Sequence, residues 1–128
     1  MAYPTGSGTE LIRRGMIDGL TNASSAFTFD GTHPTKGTDT ATVATDHIIT
    51  ILSIIICEMS NTTGKEFTLT AYNGSADIIL VKDAQVQPKQ TYVWNDRIVL
   101  HPTHKLSIIG NASSEFDIHY TYIDQNYS

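Results

Sequence analysis

Residues 47–59 read HIITILSIIICEM, and this stretch decides the fold. It is dominated by Ile and Leu, rich in the β-branched side chains that suit a pleated sheet, and too continuous for a half-exposed surface strand. The reading is a strand buried on both faces. Its apolar run from Ile48 to Cys57 is ten residues long and interrupted by Thr50 and Ser53, whereas a helix needs roughly 20 apolar residues to span a bilayer. No membrane anchor is expected. Cys57, the one cysteine, follows Ile54, Ile55 and Ile56, which favours a buried, inert thiol over a nucleophile.

Working outward, Asn61-Thr62-Thr63-Gly64 reads as a turn, and Glu66 to Tyr72 alternates with Phe67, Leu69 and Ala71 on one side. The two strands are expected to form a hairpin. Asn73-Gly74 supplies the next turn, Ile78 to Val81 the next strand, and Gln85 to Gln90, with Pro88, a polar loop. Tyr92–Trp94 and Arg97–Leu100 flank Asn95-Asp96; Pro102 breaks the ladder before Lys105–Ile109 resumes it. After Gly110-Asn111, Phe116, Ile118, Tyr120 and Tyr122 alternate with Asp117, His119 and Thr121, so one face of that strand is wet or used for contact.

Toward the N-terminus, Ala26–Phe29 places Phe27 and Phe29 on one face before an Asp30-Gly31 turn, and 31–42 (GTHPTKGTDTAT) reads as an exposed loop. Thr9–Leu20 reads as extended, because Gly15 and Gly19 weaken a helix by roughly 1 kcal/mol each. Residues 1–9, small and polar with Pro4, Gly6 and Gly8, read as a flexible arm ordered only by a neighbour. About eight short strands over residues 10–128, with turn residues between them, point to one all-β domain. The expected architecture is an antiparallel β-sandwich, with a jelly roll as its candidate connectivity. Ile49, Ile51, Ile54, Ile56, Leu69, Ile79, Leu100 and Ile108 are the expected core.

Composition narrows the function. The 128 residues fit one domain and carry 8 Lys plus Arg against 13 Asp plus Glu, a net charge of -5. Basic residues do not cluster beyond Arg13-Arg14, so nucleic acid is not an expected partner, since affinity for phosphate needs grouped cations. Charged residues make up only 16%, below the roughly 25% of an average protein, which leaves Thr, Ser and Asn to carry the surface. The polar N-terminus MAYPTGSGTE lacks a basic segment followed by an apolar one, so synthesis in the cytoplasm is the default expectation.

Motifs for chemistry are weak. His101-Pro102-Thr103-His104 brings two imidazoles close but without a second pair at zinc spacing, so no metal and no cofactor is expected. There is no GxSxG elbow, and serines such as Ser24 and Ser25 or Ser113 and Ser114 sit in expected turns, so no catalytic residues are assigned. Acids such as Glu115, Asp117 and Asp124 read as the solvated side of a strand rather than a hydrolytic pair. The sequons at Asn22, Asn61, Asn73 and Asn111 mark turns. Tyr92 with Trp94, or Tyr120 with Tyr122, could stack on a sugar, although aromatics two apart on a strand usually face the core.

As a set, certain phrases resemble small virion structural proteins of marine and cyanobacterial tailed bacteriophages: MAYPTGSGTELIRRG (1–15), FTFDGTHPTKGT (27–38), DHIITILSIII (46–56), TYVWNDRIVLHPTHKL (91–106) and YTYIDQNYS (120–128). The resemblance spans nearly the whole chain and contains no ligand motif. It implies a place in the virion, best matched by capsid decoration (cement) proteins, which bind the major capsid protein on the outside of the shell, often as homo-oligomers such as trimers. Neck, tail or fibre components, with or without host-glycan binding, are the alternative. The residues expected to meet a protein partner are Tyr3 and Pro4 in the arm, Arg13 and Arg14, and Tyr120 and Tyr122.

Overall fold

The computed structural model describes residues 9–21, 23–59, 65–111 and 115–127. Among them are nine strands and no helix: β1 (Thr9–Leu20), β2 (Ser24–Ala26), β3 (His47–Glu58), β4 (Lys65–Tyr72), β5 (Asp77–Val86), β6 (Thr91–Trp94), β7 (Ile98–Leu100), β8 (Lys105–Gly110) and β9 (Phe116–Asn126). All pairings are antiparallel, and the strands form two sheets of an all-β sandwich. The first, sheet A, runs β1-β9-β3-β6 with β7 also on β3; the second, sheet B, runs β2-β8-β4-β5. β6 pairs with Ile54–Cys57 and β7 with Ile49–Ile51, so the two act as one strand broken at 95–97.

This order corrects one expectation. β3 and β4 form no hairpin: they lie in different sheets, because one edge of β3 is taken by β9 and the other by β6 and β7. The two apolar strands meet across the core instead, through Ile49, Ile51, Ile54 and Ile56 on β3 and Phe67 and Leu69 on β4. Burial of a side chain of this size contributes about 1.5–3 kcal/mol, which is why the interior of the sandwich dominates its stability.

Bulges set which residues face that interior. A bulge inserts one residue and flips every later side chain to the other face. On β3 the register jumps between Ile51 and Ser53, so the inward set passes from Ile49 and Ile51 to Ile54 and Ile56 without losing the core. On β5, Val81 lies opposite Leu69 and Ala84 opposite Phe67, leaving Lys82 and Asp83 against Thr68 alone. Asp83 adopts φ 49° there, and its backbone N–H donates to Thr68 Oγ1 at 3.1 Å. The register shifts again between Leu69 and Thr70, which puts Ile79 opposite Thr70 on the outer face of an edge strand. Ile79 is therefore 54% exposed rather than in the core. The other seven expected core residues are buried.

Several smaller expectations also shift. β3 is fully buried on one face only; on its other face Ile48, Thr50, Ser53 and Cys57 are half-buried and Ile55 is exposed. Cys57 is thus a half-buried thiol. The short strand near Phe27 is displaced to Ser24–Ala26, so Ser24 and Ser25 belong to a strand rather than a turn. Phe27 and Phe29 still enter the core. β5 runs on to Val86, absorbing the start of the expected loop. The polar segment 31–46 is pinned at several points: Ala26 N donates to Thr38 O at 2.9 Å, Val43 N donates to His104 O at 2.9 Å, and Ser107 Oγ donates to Asp39 Oδ1 at 2.6 Å. Thr9–Leu20 is a strand as expected, and Gly15 is required in it: a Cβ there would stand 2.1 Å from Tyr120 Cζ.

Candidate functional site

Two features stand out, and both arise from β9, which runs between β1 and β3. Its inward residues descend from Phe116 through Ile118, Tyr120 and Tyr122 to Asp124. The last carboxylate lies where the sandwich opens, opposite Leu11 on one side and Ile49 on the other, and is only 4% exposed. His47 Nδ1 lies 2.6 Å from Asp124 Oδ1, and Arg13 Nε lies 3.4 Å from Asp124 Oδ2. Together with Thr28, Phe29 and Thr42 they line a cavity of about 270 Å³.

The chemistry of that mouth is charge compensation. A buried carboxylate costs several kcal/mol of solvation unless cations and hydrogen bonds replace the water. Arg13 supplies the permanent charge, and His47 holds the second oxygen. A carboxylate-oriented imidazole can serve as a base for a nearby hydroxyl, but the Thr28 hydroxyl is committed to Thr32 O at 2.6 Å. At the rim, hydrogen bonds from the Thr32 hydroxyl and backbone N–H hold Asp30 below the ordinary carboxylate range. The cluster ties the neighbouring strands β1, β9 and β3 together at one end.

The second feature is the outer face of sheet A, built by the residues that alternate with the core set. Strand register aligns Met16, His119, Ile55 and Val93 in one row across β1, β9, β3 and β6. A second row aligns Ile12, Ile123, Thr50 and Val99 across β1, β9, β3 and β7. Arg14, Thr121 and Ser53 lie between them. Ile12 is 76%, Val93 55% and Val99 52% exposed. Between Met16, Ile55, Cys57 and His119 the face dips into a groove of about 290 Å³. Scattered apolar side chains are ordinary on a surface, whereas two rows across a whole sheet, each with three apolar residues in four, concentrate them in the way interaction sites do. The outer side of sheet B carries Thr68 and Thr70 beside the exposed Ile109 and Ile79, and Asp39 from the 31–46 segment is anchored there by Ser107 and by Lys105 Nζ at 3.6 Å.

The sequence-expected contact residues are dispersed by this structure. Tyr3 and Pro4, and the arm up to Gly8, lie outside the described residues; Thr9 of the expected arm is already in β1, opposite Asn126. Arg13 points inward to Asp124, while Arg14 is exposed on the outer face between the two apolar rows. Tyr120 and Tyr122 are a correction: both are fully buried, stacked on each other with ring centroids 5.8 Å apart, and cannot meet a partner. Their hydroxyls hold the chain after β2, Tyr120 at Thr28 and Tyr122 by accepting from Gly31 N at 3.2 Å. Tyr92 and Trp94 likewise turn toward the core, Tyr92 edge-on to Phe67 at 5.0 Å.

His101 and His104 form a turn rather than a joint site, with His101 N donating to His104 Nδ1 at 3.3 Å. Burial, and then the neighbouring His101, lowers the His104 pKa. The His47–Asp124 pair had no sequence signal, since its members stand 77 residues apart. The open apolar face did have one: the density of Ile and Leu along β3 supplies both the core side and the outward Ile48 and Ile55.

No family model matches the chain, and no curated protein matches it. Among solved structures, it is similar to a chain of the infectious bursal disease virus Gx strain at 13% identity and a TM-score of 0.48, over 92% of this chain and 34% of that one. It is also similar to a chain of the VP2 subviral particle of infectious bursal disease virus at 12% identity and a TM-score of 0.46, over 91% of this chain and 33% of that one. The chain thus spans about a third of the length of the chains it matches.

Proposed function

We propose that this chain is a non-enzymatic structural protein of a bacteriophage particle, acting as a capsid decoration protein on the outer surface of the major capsid protein. With β6 and β7 counted as one broken strand, eight strands in the sheet orders β1-β9-β3-β6 and β2-β8-β4-β5 support a jelly-roll reading. That architecture serves viral shells, lectins and cupins alike, so side chains must choose among roles. The inward-turned rings of Tyr92, Trp94, Tyr120 and Tyr122 argue against sugar stacking. The resemblance of several phrases of the sequence to tailed-phage virion proteins favours the particle.

The observation that carries the reading is the open apolar face of sheet A, with its two rows of side chains. Docked on a shell, such a face contributes about 25 cal/mol per Å² of apolar surface removed from water. Each copy adds a modest free energy, and repetition over the shell multiplies it against internal pressure. Synthesis in the host cytoplasm and assembly onto the finished shell follow from this role. The test is to mix the purified protein with bare capsids and, separately, with purified tails. Saturable binding to capsids, lost in Ile55→Lys/Val93→Lys while the melting temperature holds, supports decoration. Binding to tails alone moves the assignment to a neck, tail or fibre component.

A further inference from the structure

β1 ends sheet A: β9 occupies one of its edges, and no described strand pairs with the other. A 12-residue open edge is a template for another strand unless it is blunted. Its direction can be read from one hydrogen bond: Met16, which is in unbroken register with residues 9–15 of β1, donates its N–H away from β9, to His33 Nδ1 at 3.1 Å. Backbone groups alternate between the two edges of a strand, so Glu10, Ile12 and Arg14, in phase with Met16, turn their N–H and C=O groups to the open side. His33 caps that edge at Met16 alone among these positions.

We propose that a second copy of this chain pairs with β1 along this edge, antiparallel about a two-fold axis through Ile12. That register is selected by charge. With Ile12 opposite its counterpart, Glu10 of each copy stands opposite Arg14 of the other, on the same outer face. Both charged residues are exposed, and Ile12 is the most exposed large hydrophobic side chain described, at 76%. The pairing covers Ile12 against Ile12, flanks it with two ion pairs, and completes the open backbone groups of all three residues. The row Ile12–Ile123–Thr50–Val99 then continues into the same row of the partner. Because the axis is two-fold, the unit formed is a dimer, and it forms whether or not the protein also docks on a capsid.

Sedimentation equilibrium of the intact protein tests this, alongside Glu10→Arg, Arg14→Glu and the double reversal Glu10→Arg/Arg14→Glu. Each single reversal places like charges opposite each other at both ends of the pairing, while the double reversal restores two opposite-charge pairs. The expected result is a dimer for the intact chain, at least about tenfold weaker association for each single variant, and recovery in the double. Ile12→Lys, which sets two ammonium groups face to face, should be monomeric with an unchanged circular dichroism spectrum. An intact protein that stays monomeric up to roughly 100 µM overturns the proposal. So does association that ignores the single reversals, or a double variant no better than the singles.

Discussion

Tyr120 on β9 donates its phenolic proton to the carbonyl of Thr28, 2.9 Å away, and accepts the backbone N–H of the same residue at 3.1 Å. One hydroxyl thus satisfies both main-chain groups of a residue just beyond β2 and joins sheet A to the chain leaving sheet B. Tyr120→Phe keeps the ring stacked on Phe27, with centroids 4.5 Å apart, and deletes only that bridge. The expected loss is about 1–3 kcal/mol, because backbone groups that are shielded from water lose their partner. Urea denaturation of the two proteins measures it.

The same residue makes the fold sensitive to alkali. Burial pushes the Tyr120 hydroxyl up to about 12 from its ordinary 10.0, and burial also raises Tyr122. A group whose folded pKa is raised contributes stability that is complete below its unfolded pKa and is lost as pH climbs through the folded value. Stability should therefore be insensitive to these groups below about pH 10 and fall by about 2–3 kcal/mol on approaching pH 12. In Tyr120→Phe most of that fall should vanish. Denaturation curves taken between pH 8 and pH 12 check both statements.

Asp124 holds the mouth of the sandwich through Arg13 and His47. Asp124→Ala leaves a guanidinium and an imidazole without their shared anion. Both partners retain some contact with water, which sets the expected cost at about 1–3 kcal/mol, below that of a wholly buried pair. A thermal melt as stable as that of the parent protein would show that the cluster contributes nothing to stability.

Ile54 on β3 and Ile79 on β5 each lie beside a register shift, Ile54 facing the core and Ile79 facing out. Ile54→Asp buries a carboxylate at a fully enclosed position and should cost several kcal/mol, enough to abolish cooperative melting in a domain of ordinary stability. Ile79→Asp, on the outer face of edge strand β5, should fall within about 0.5 kcal/mol of the parent. Calorimetry on the two variants measures the difference.

The class of the fold was legible in residues 47–59 and in the strict alternation of 116–122, because side-chain period and β-branching are local properties of the chain. So were the strand character of Thr9–Leu20 and seven of the eight named core residues. Partnership was not legible. That β3 pairs with β9 rather than β4 depends on which strand edges remain free once the whole chain has folded, and Ile79 was misplaced because a bulge changes the phase of a period-two pattern without changing composition. Tyr120 and Tyr122 showed as aromatics in alternation, but only packing decided that they turn inward. The meeting of His47, Arg13 and Asp124, and the rows across sheet A, likewise exist only in register. Local sequence sets what each residue prefers; which distant residues become neighbours is settled by long-range pairing, and on that the candidate sites depend.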